Sequence, residues 1–213
     1  SEGDAVFMGT QEGRDGADFV EWCAAQPWCN GRVALSGNSG VAMIQWRIAA
    51  ELPPHLTCIA PWEATGDLFR ESLREGGIRG FYSESVIGMV AGSGYIEDPL
   101  AMADVYPEWN AYWQDKVPQY EKIKLPTYAT ACWNHFHIWG SFEGFRKIKS
   151  RKKWMRAHRE FEWPDTYNYD NIADLKLFFD RYLKDIRNGW EFKPKVRLEV
   201  MDAYNYDYQS NRP

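Results

Sequence analysis

GRVALSGNSGVAMIQWRIAAEL, residues Gly31 to Leu52, decides the fold. A short apolar run, Val33-Ala34-Leu35, stops at Ser36-Gly37-Asn38-Ser39-Gly40, and a helical pattern begins at once with Val41, Ile44, Trp46, Ile48 and Ala49. The pattern predicts a strand, a sharp turn and a helix. A serine at such a corner sits on strained backbone, with its hydroxyl clear of the strand and neighbouring amides aimed where an oxyanion would sit. Ser39 is the candidate nucleophile and the Gly40 amide the candidate oxyanion donor. The pattern Gly-x-Ser-x-Gly is met at Gly37 and Ser39, whereas Val41 holds the last glycine position. A Gly/Ser cluster between strand and helix also serves as a plain helix start, with Ser39 or Asn38 as N-cap.

The composition admits an ordinary folded domain. Of 213 residues, 45% are apolar and 26% charged, which excludes a disordered chain. A net charge of -5 argues against a nucleic-acid-binding surface. No stretch approaches ~18 uninterrupted apolar residues, so no membrane span is expected. Cys23, Cys29, Cys58 and Cys132 lack Cys-x-x-Cys spacing and read as buried thiols; no metal or other cofactor is expected. The aromatic share of 16% suits a pocket for an apolar ligand and equally a plain core. Ser1-Glu2-Gly3-Asp4 brings no initiator methionine and no first strand, the expectation being a chain that starts within a larger protein.

Around the deciding stretch the rhythm is that of a parallel sheet. Residues 13–26 place Ala17, Val20, Trp22, Ala24 and Ala25 at helical spacing ahead of Pro27. After Pro53-Pro54, Leu56 to Pro61 makes a second buried strand whose C-terminal end carries Trp62 and Glu63. Ligands bind at that end in open α/β sheets, so both are candidate pocket residues, Glu63 alternatively capping the next helix. Residues 66–122 break the rhythm with helical pieces at Leu68–Leu73 and Tyr106–Gln114, aromatics including Phe69, Phe81, Tyr82 and Trp109, and no clean strand. An insertion of this kind reads as a helical cap. Strand patterns resume at Leu125–Cys132 and Lys153–Ala157, a strong helix covers Asn171–Lys184, and Lys195–Met201 alternates as a half-exposed strand does.

Four histidines complete the candidate chemistry. His55 follows Pro53-Pro54 and reads as structural, whereas His135 and His137 follow one strand and His158 the next, on the edge that carries Ser39. A serine needs a hydrogen-bonded base, itself oriented by a third group. The order Ser then His after the last strand makes His158 the expected base. An acid is expected near residues 134–137, yet that segment reads Asn134-His135-Phe136-His137. Asn134 or a histidine is left to orient the base, with His137 the chosen candidate and Asp165, in a turn after His158, an alternative.

Arg14-Asp15-Gly16-Ala17-Asp18, Glu21-Trp22, Ala25-Gln26-Pro27-Trp28, Gly37-Asn38-Ser39, Gln45-Trp46, Pro53-Pro54-His55-Leu56, Asp67 with Arg70, Lys153-Trp154 with His158, and Phe179 to Lys184 occur in an order that resembles the cocaine esterase and X-Pro dipeptidyl-peptidase (S15-like, CocE/NonD) hydrolases. Pro194-Lys195-Val196-Arg197 is similar to the start of that family's C-terminal β-sandwich. The resemblance implies an α/β-hydrolase core with a mostly parallel sheet and an inserted helical cap, lacking the first strands and most of the β-sandwich. It also implies serine-dependent cleavage of an ester or amide, with Ser39 as nucleophile and His158 as base. The chain departs from the family at Gly40, where an aromatic is usual, and at Trp133-Asn134-His135, where an aspartate shortly after the tryptophan is expected.

The domain boundaries expected are 1–65 and 123–192 for the two parts of the core, 66–122 for the cap and 193–213 for the start of the β-sandwich. The expected partner is a small-molecule ester or amide, with no nucleic acid, no membrane and a possible homo-oligomer. The competing expectations are a hydrolase-fold protein that binds without cleaving and a hydrolase fragment completed by residues outside this chain.

Overall fold

A computed structural model describes residue 4 and residues 6–80 and 95–201. Phe81 and Tyr82 of the expected cap, and residues 202–213 of the expected β-sandwich, lie outside the described residues. Helix α1 (Thr10–Ala24) leads to β1 (Val33–Asn38), α2 (Gly40–Ala50) and β2 (Leu56–Trp62). Then come a hairpin of β3 (Arg74–Glu75) and β4 (Ile78–Arg79), and two short helices, α3 (Pro99–Val105) and α4 (Ala111–Asp115). The sheet returns with β5 (Thr127–Cys132), α5 (Ile138–Lys147), β6 (Lys153–His158), α6 (Glu162–Thr166), α7 (Tyr169–Leu183) and β7 (Val196–Leu198).

Among the described residues the main sheet has the order β1-β2-β5-β6-β7, and every neighbouring pair is parallel. All C-terminal ends therefore share one edge. The continuous burial of β5 suits a strand covered on both faces. On one face Trp46, Ile59, Ala129, Ala131 and Met155 pack with α2 and the segment after β2. On the other, Tyr128, Trp154, Phe178, Tyr182 and Trp190 form an aromatic layer under α7. Fully burying one such ring stabilises by about 1.5–3 kcal/mol, so the layer fixes α7 firmly.

The alternating tail pairs with β6 over Val196–Leu198 as the outermost strand of this same sheet. In the inserted region, the expected helix Tyr106–Gln114 is confined to α4, preceded by α3, and Phe69–Leu73 forms a π-helix. The strands missed there are two residues long, too short for a period-2 pattern to register. Trp22, read as part of the buried face of α1, is 55% exposed and stacks on Phe19. Cys23 and Cys29 are half-buried rather than buried.

Arg47, buried in α2, ties the core to the insertion. Its guanidinium donates to the carbonyls of Met8, Met43, Gly66 and Lys116, fixing the orientation of the segments around α2.

Helices α2 and α5 meet at Gly144, where a Cβ would stand 2.6 Å from Cζ2 of the fully buried Trp46. An indole enclosed on all sides has nowhere to yield. Gly144→Ala is therefore expected to destabilise the chain by about 1–3 kcal/mol, read as a lower urea midpoint; an unchanged midpoint would show that this contact is loose.

Candidate active site

The corner between β1 and α2 has the backbone that the sequence predicts. Ser39 adopts φ 55° and ψ -127°, outside the regions usual for a side-chain-bearing residue, and Gly37 has φ 140°. A Cβ on Gly37 would lie 3.1 Å from Cβ of Val41. Glycine at 37 thus gives the room that a glycine at 41 would otherwise supply. The Ser39 N–H donates to the Trp62 carbonyl at 3.1 Å, which anchors the corner to the end of β2. Ser39 is also the N-cap of α2, but its hydroxyl makes no capping hydrogen bond. Beyond Gly40 there is open space where a Cβ would project, so a side chain could begin there without a clash at its first carbon.

His158 lies elsewhere. It is the last residue of β6, not a loop residue, and its chain partner is Cys132. From β1 to β6 is three strand steps, about 14 Å at ~4.8 Å per step. No hydrogen bond joins Ser39 to His158 among the described residues. The side chain alternates onto the face of Trp154 and Arg156, beneath α7. Its Nδ1 faces the Glu160 carbonyl at 3.0 Å and Asp165 Oδ1 at 3.3 Å, both acceptors, so Nδ1 carries a hydrogen. Its Nε2 is 2.6 Å from Glu63 Oε1, a separation that requires a proton between them. Asp165 is itself bound in a two-pronged pair by Arg156. Both ring nitrogens are thus engaged and the carboxylates around them are balanced.

Glu63, at φ 48°, is fully buried beneath the rim. Apart from His158, the Thr130 hydroxyl donates to it at 3.3 Å. Its position after β2 suggested a pocket residue; its surroundings give it to the imidazole. Trp62 remains half-buried at the strand end.

A second buried histidine–carboxylate pair stands closer to the elbow. Glu162, at the start of α6, accepts from Asn38 Nδ2 at 2.7 Å, and Asn38 adjoins Ser39 in the chain. His135 Nε2 is 3.5 Å from the other carboxylate oxygen. The His137 N–H donates to His135 Nδ1 at 3.1 Å, which leaves the hydrogen of a neutral ring on Nε2, facing Glu162. Burial opposes ionisation of Glu162, yet the His135 imidazole beside it and the hydrogen bond from Asn38 outweigh burial and hold the carboxyl below its usual range. His137 caps α5 and packs its ring against His135 and Phe136. Burial, with His135 beside it, pushes its imidazole down to about 3, so the ring is neutral and supplies no negative charge to orient a base. Asn134 donates to the Arg159 carbonyl and joins the two loops.

A cavity of about 440 Å³ opens between the insertion and α5, lined among others by Asp67, Arg70, Glu71, Trp109, Tyr120 and Trp139. Burial lifts the Glu71 carboxyl to about 7. Ser39, Trp62, Glu63 and His158 are not among its lining residues.

Sequence reasoning missed Glu63 and Glu162 as histidine partners. The position of Glu63 at a strand end between Ser39 and His158 was a usable signal; Glu162, before Trp163-Pro164 in a short helix, offered none. Because the His158–Glu63 pair is buried, Glu63→Ala is expected to cost about 3–5 kcal/mol in urea unfolding, with Glu63→Gln costing less. A loss below about 1 kcal/mol, typical of an exposed pair, would show that the pair is not closed.

Comparison with known proteins bears on this arrangement. The model of the X-Pro dipeptidyl-peptidase (S15) family matches residues 1–84. Cocaine esterase of Rhodococcus sp. (strain MB1 Bresler) is 24% identical over a 275-residue alignment that covers the whole chain and 48% of that esterase. A CocE/NonD family hydrolase from Staphylococcus aureus superposes with a TM-score of 0.92 at 34% identity, over 99% of this chain and 39% of that one. An α-amino acid ester hydrolase shares the fold, with a TM-score of 0.61 at 15% identity, over 99% of this chain and 42% of that one. The chain thus spans about half the length of the esterase and about two-fifths of these structures. By sequence and by structure, the chain is similar to part of the cocaine esterase and X-Pro dipeptidyl-peptidase (S15, CocE/NonD) hydrolases, and it has their α/β fold.

Proposed function

We propose that the chain carries the nucleophile of a hydrolase that cleaves ester or amide bonds of small molecules. The observation that carries this reading is the backbone of Ser39, a non-glycine residue held at φ 55° between a parallel strand and a helix with its hydroxyl making no capping hydrogen bond. Strain of that kind costs of order 1–3 kcal/mol and is characteristic of functional positions. Ser39 Oγ attacks the acyl carbonyl, and the proton leaves to a basic group on the same rim. The Gly40 N–H, at the first position of α2, donates to the oxyanion. Collapse of the tetrahedral intermediate expels the alcohol or amine and leaves an acyl-serine, which water then hydrolyses.

His158, the base expected from chain order, fits this role poorly. It would have to surrender one of its two ring contacts and cross the width of β2 and β5. Its pairing with Glu63 is better suited to locking the ends of β2, β5 and β6 together. The absence of a Ser39–His158 hydrogen bond among the described residues also favours a second reading, a hydrolase-fold protein that binds a ligand without cleaving it.

Fluorophosphonate labelling of the full-length protein separates the two. Covalent labelling that is lost in Ser39→Ala, together with turnover on a panel of simple esters, is the expected result. Saturable ester binding with neither labelling nor turnover would favour the non-cleaving reading, and labelling that survives Ser39→Ala would remove Ser39 from its role.

A further inference from the structure

The cavity beside α5 is lined by neither histidine pair and does not include Ser39. Trp139, Glu143 and Lys147 follow one another at intervals of four along α5, so one face of that helix forms a wall from its first turn to its last. The insertion supplies Asp67, Arg70, Glu71 and Trp109, and the ring of Tyr120 completes the lining, edge-on to Trp46 in α2. At about 440 Å³ the space is of the size that holds small organic ligands.

Charge is the first feature of this lining that selects a ligand. Four carboxylates, Asp67, Glu71, Glu75 and Glu143, stand against two cations, Arg70 and Lys147. Both cations are already paired, Arg70 with Asp67 and Lys147 with Glu143. Glu71 has no Lys or Arg partner within the lining; its oxygens accept from the backbone N–H groups of Gly66 and Asp67. The carboxylates of Asp67, Glu71 and Glu143 therefore offer negative charge while their oxygens are largely engaged.

The second feature is aromatic surface. The Arg70 guanidinium lies 3.6 Å over the Trp109 ring, so one indole of the lining already holds a cation on its face. Trp139 is 60% exposed and makes no ring or cation contact among the described residues. A cation that seeks a π-face and negative charge, and brings no N–H groups that need free acceptors, matches both features. An anion would meet the excess of carboxylates, and a primary ammonium would find few oxygens free for its three N–H groups. We propose that this cavity binds a small quaternary ammonium compound, with its cationic head on the face of Trp139. The site is separate from Ser39 and does not depend on the role of that residue.

Calorimetric titration of the full-length protein with choline, beside its uncharged isostere 3,3-dimethylbutan-1-ol, tests the proposal. Saturable binding of choline is expected, with the isostere at least about tenfold weaker. Trp139→Leu, at an exposed position, is expected to weaken choline by about three- to thirtyfold. Lys147→Gln removes one of the two lining cations while Arg146 still holds Glu143, and is expected to tighten choline about twofold or more, a gain that a folding defect would not mimic. In Ser39→Ala the affinity for choline is expected to stay as it was. No saturable heat up to about 20 mM choline, an isostere that binds as tightly, or an unchanged affinity in Trp139→Leu would overturn the proposal. So would weaker binding in Lys147→Gln, and loss of binding in Ser39→Ala would move the cation to the surroundings of that serine. The comparison of choline with its isostere needs only the unaltered protein.

Discussion

The hydrogen bond from the Ser39 N–H to the Trp62 carbonyl is the constraint on which the site depends. It fastens the corner between β1 and α2 to the end of the neighbouring strand and keeps Ser39 in a backbone conformation that it would not hold alone. The interaction works only because β1 and β2 are parallel, so that their C-terminal ends coincide. The buried faces of the sheet supply the energy that keeps them so, with an aromatic layer under α7 and the α2 layer opposite. Strain at one residue is thereby borne by the packing of the whole domain.

Around that corner the fold sets out polar groups in two tiers. The lower tier, Glu63, Thr130, Arg156, His158 and Asp165, lies under α7 and is closed, each buried charge meeting a partner. Breaking such a set is destabilising, whereas its presence adds little net stability; its use is to hold three strand ends in register. The upper tier, Asn38, Glu162 and His135, touches the elbow. In the upper tier a backbone N–H faces Nδ1 of the histidine, so Nε2 is the nitrogen turned toward Glu162. The same residue types, a histidine and a glutamate, are thus given different tasks by the direction in which neighbouring donors and acceptors point.

Much of the fold was legible in the sequence, because hydrophobic period and turn chemistry report local structure directly. The run Val33-Ala34-Leu35 ahead of Gly37 and Ser39 predicted the elbow, and the spacing of Leu175, Phe178, Phe179 and Tyr182 predicted α7. The two-residue strands β3 and β4 carried no period to read. The candidate site was legible only in part. Ser39 declared itself through the glycines around it, but the partner of each histidine depends on which way a strand residue alternates. His158 looked like a loop residue because the apolar run appeared to end at Ala157; pairing with Cys132 extends β6 by one residue and turns the ring under α7. Glu162 was invisible for a different reason: its neighbour Asn38 is 124 positions away in the chain, and no local pattern encodes that contact.

The central claim concerns where protons reside, and it is open to direct observation. Nitrogen-15 NMR of the imidazole side chains in the full-length protein at neutral pH distinguishes a protonated from a bare ring nitrogen. The account predicts a hydrogen on Nδ1 of His158, and a bare Nδ1 with the hydrogen on Nε2 for His135. A bare Nδ1 on His158, or a doubly protonated His135, would contradict it.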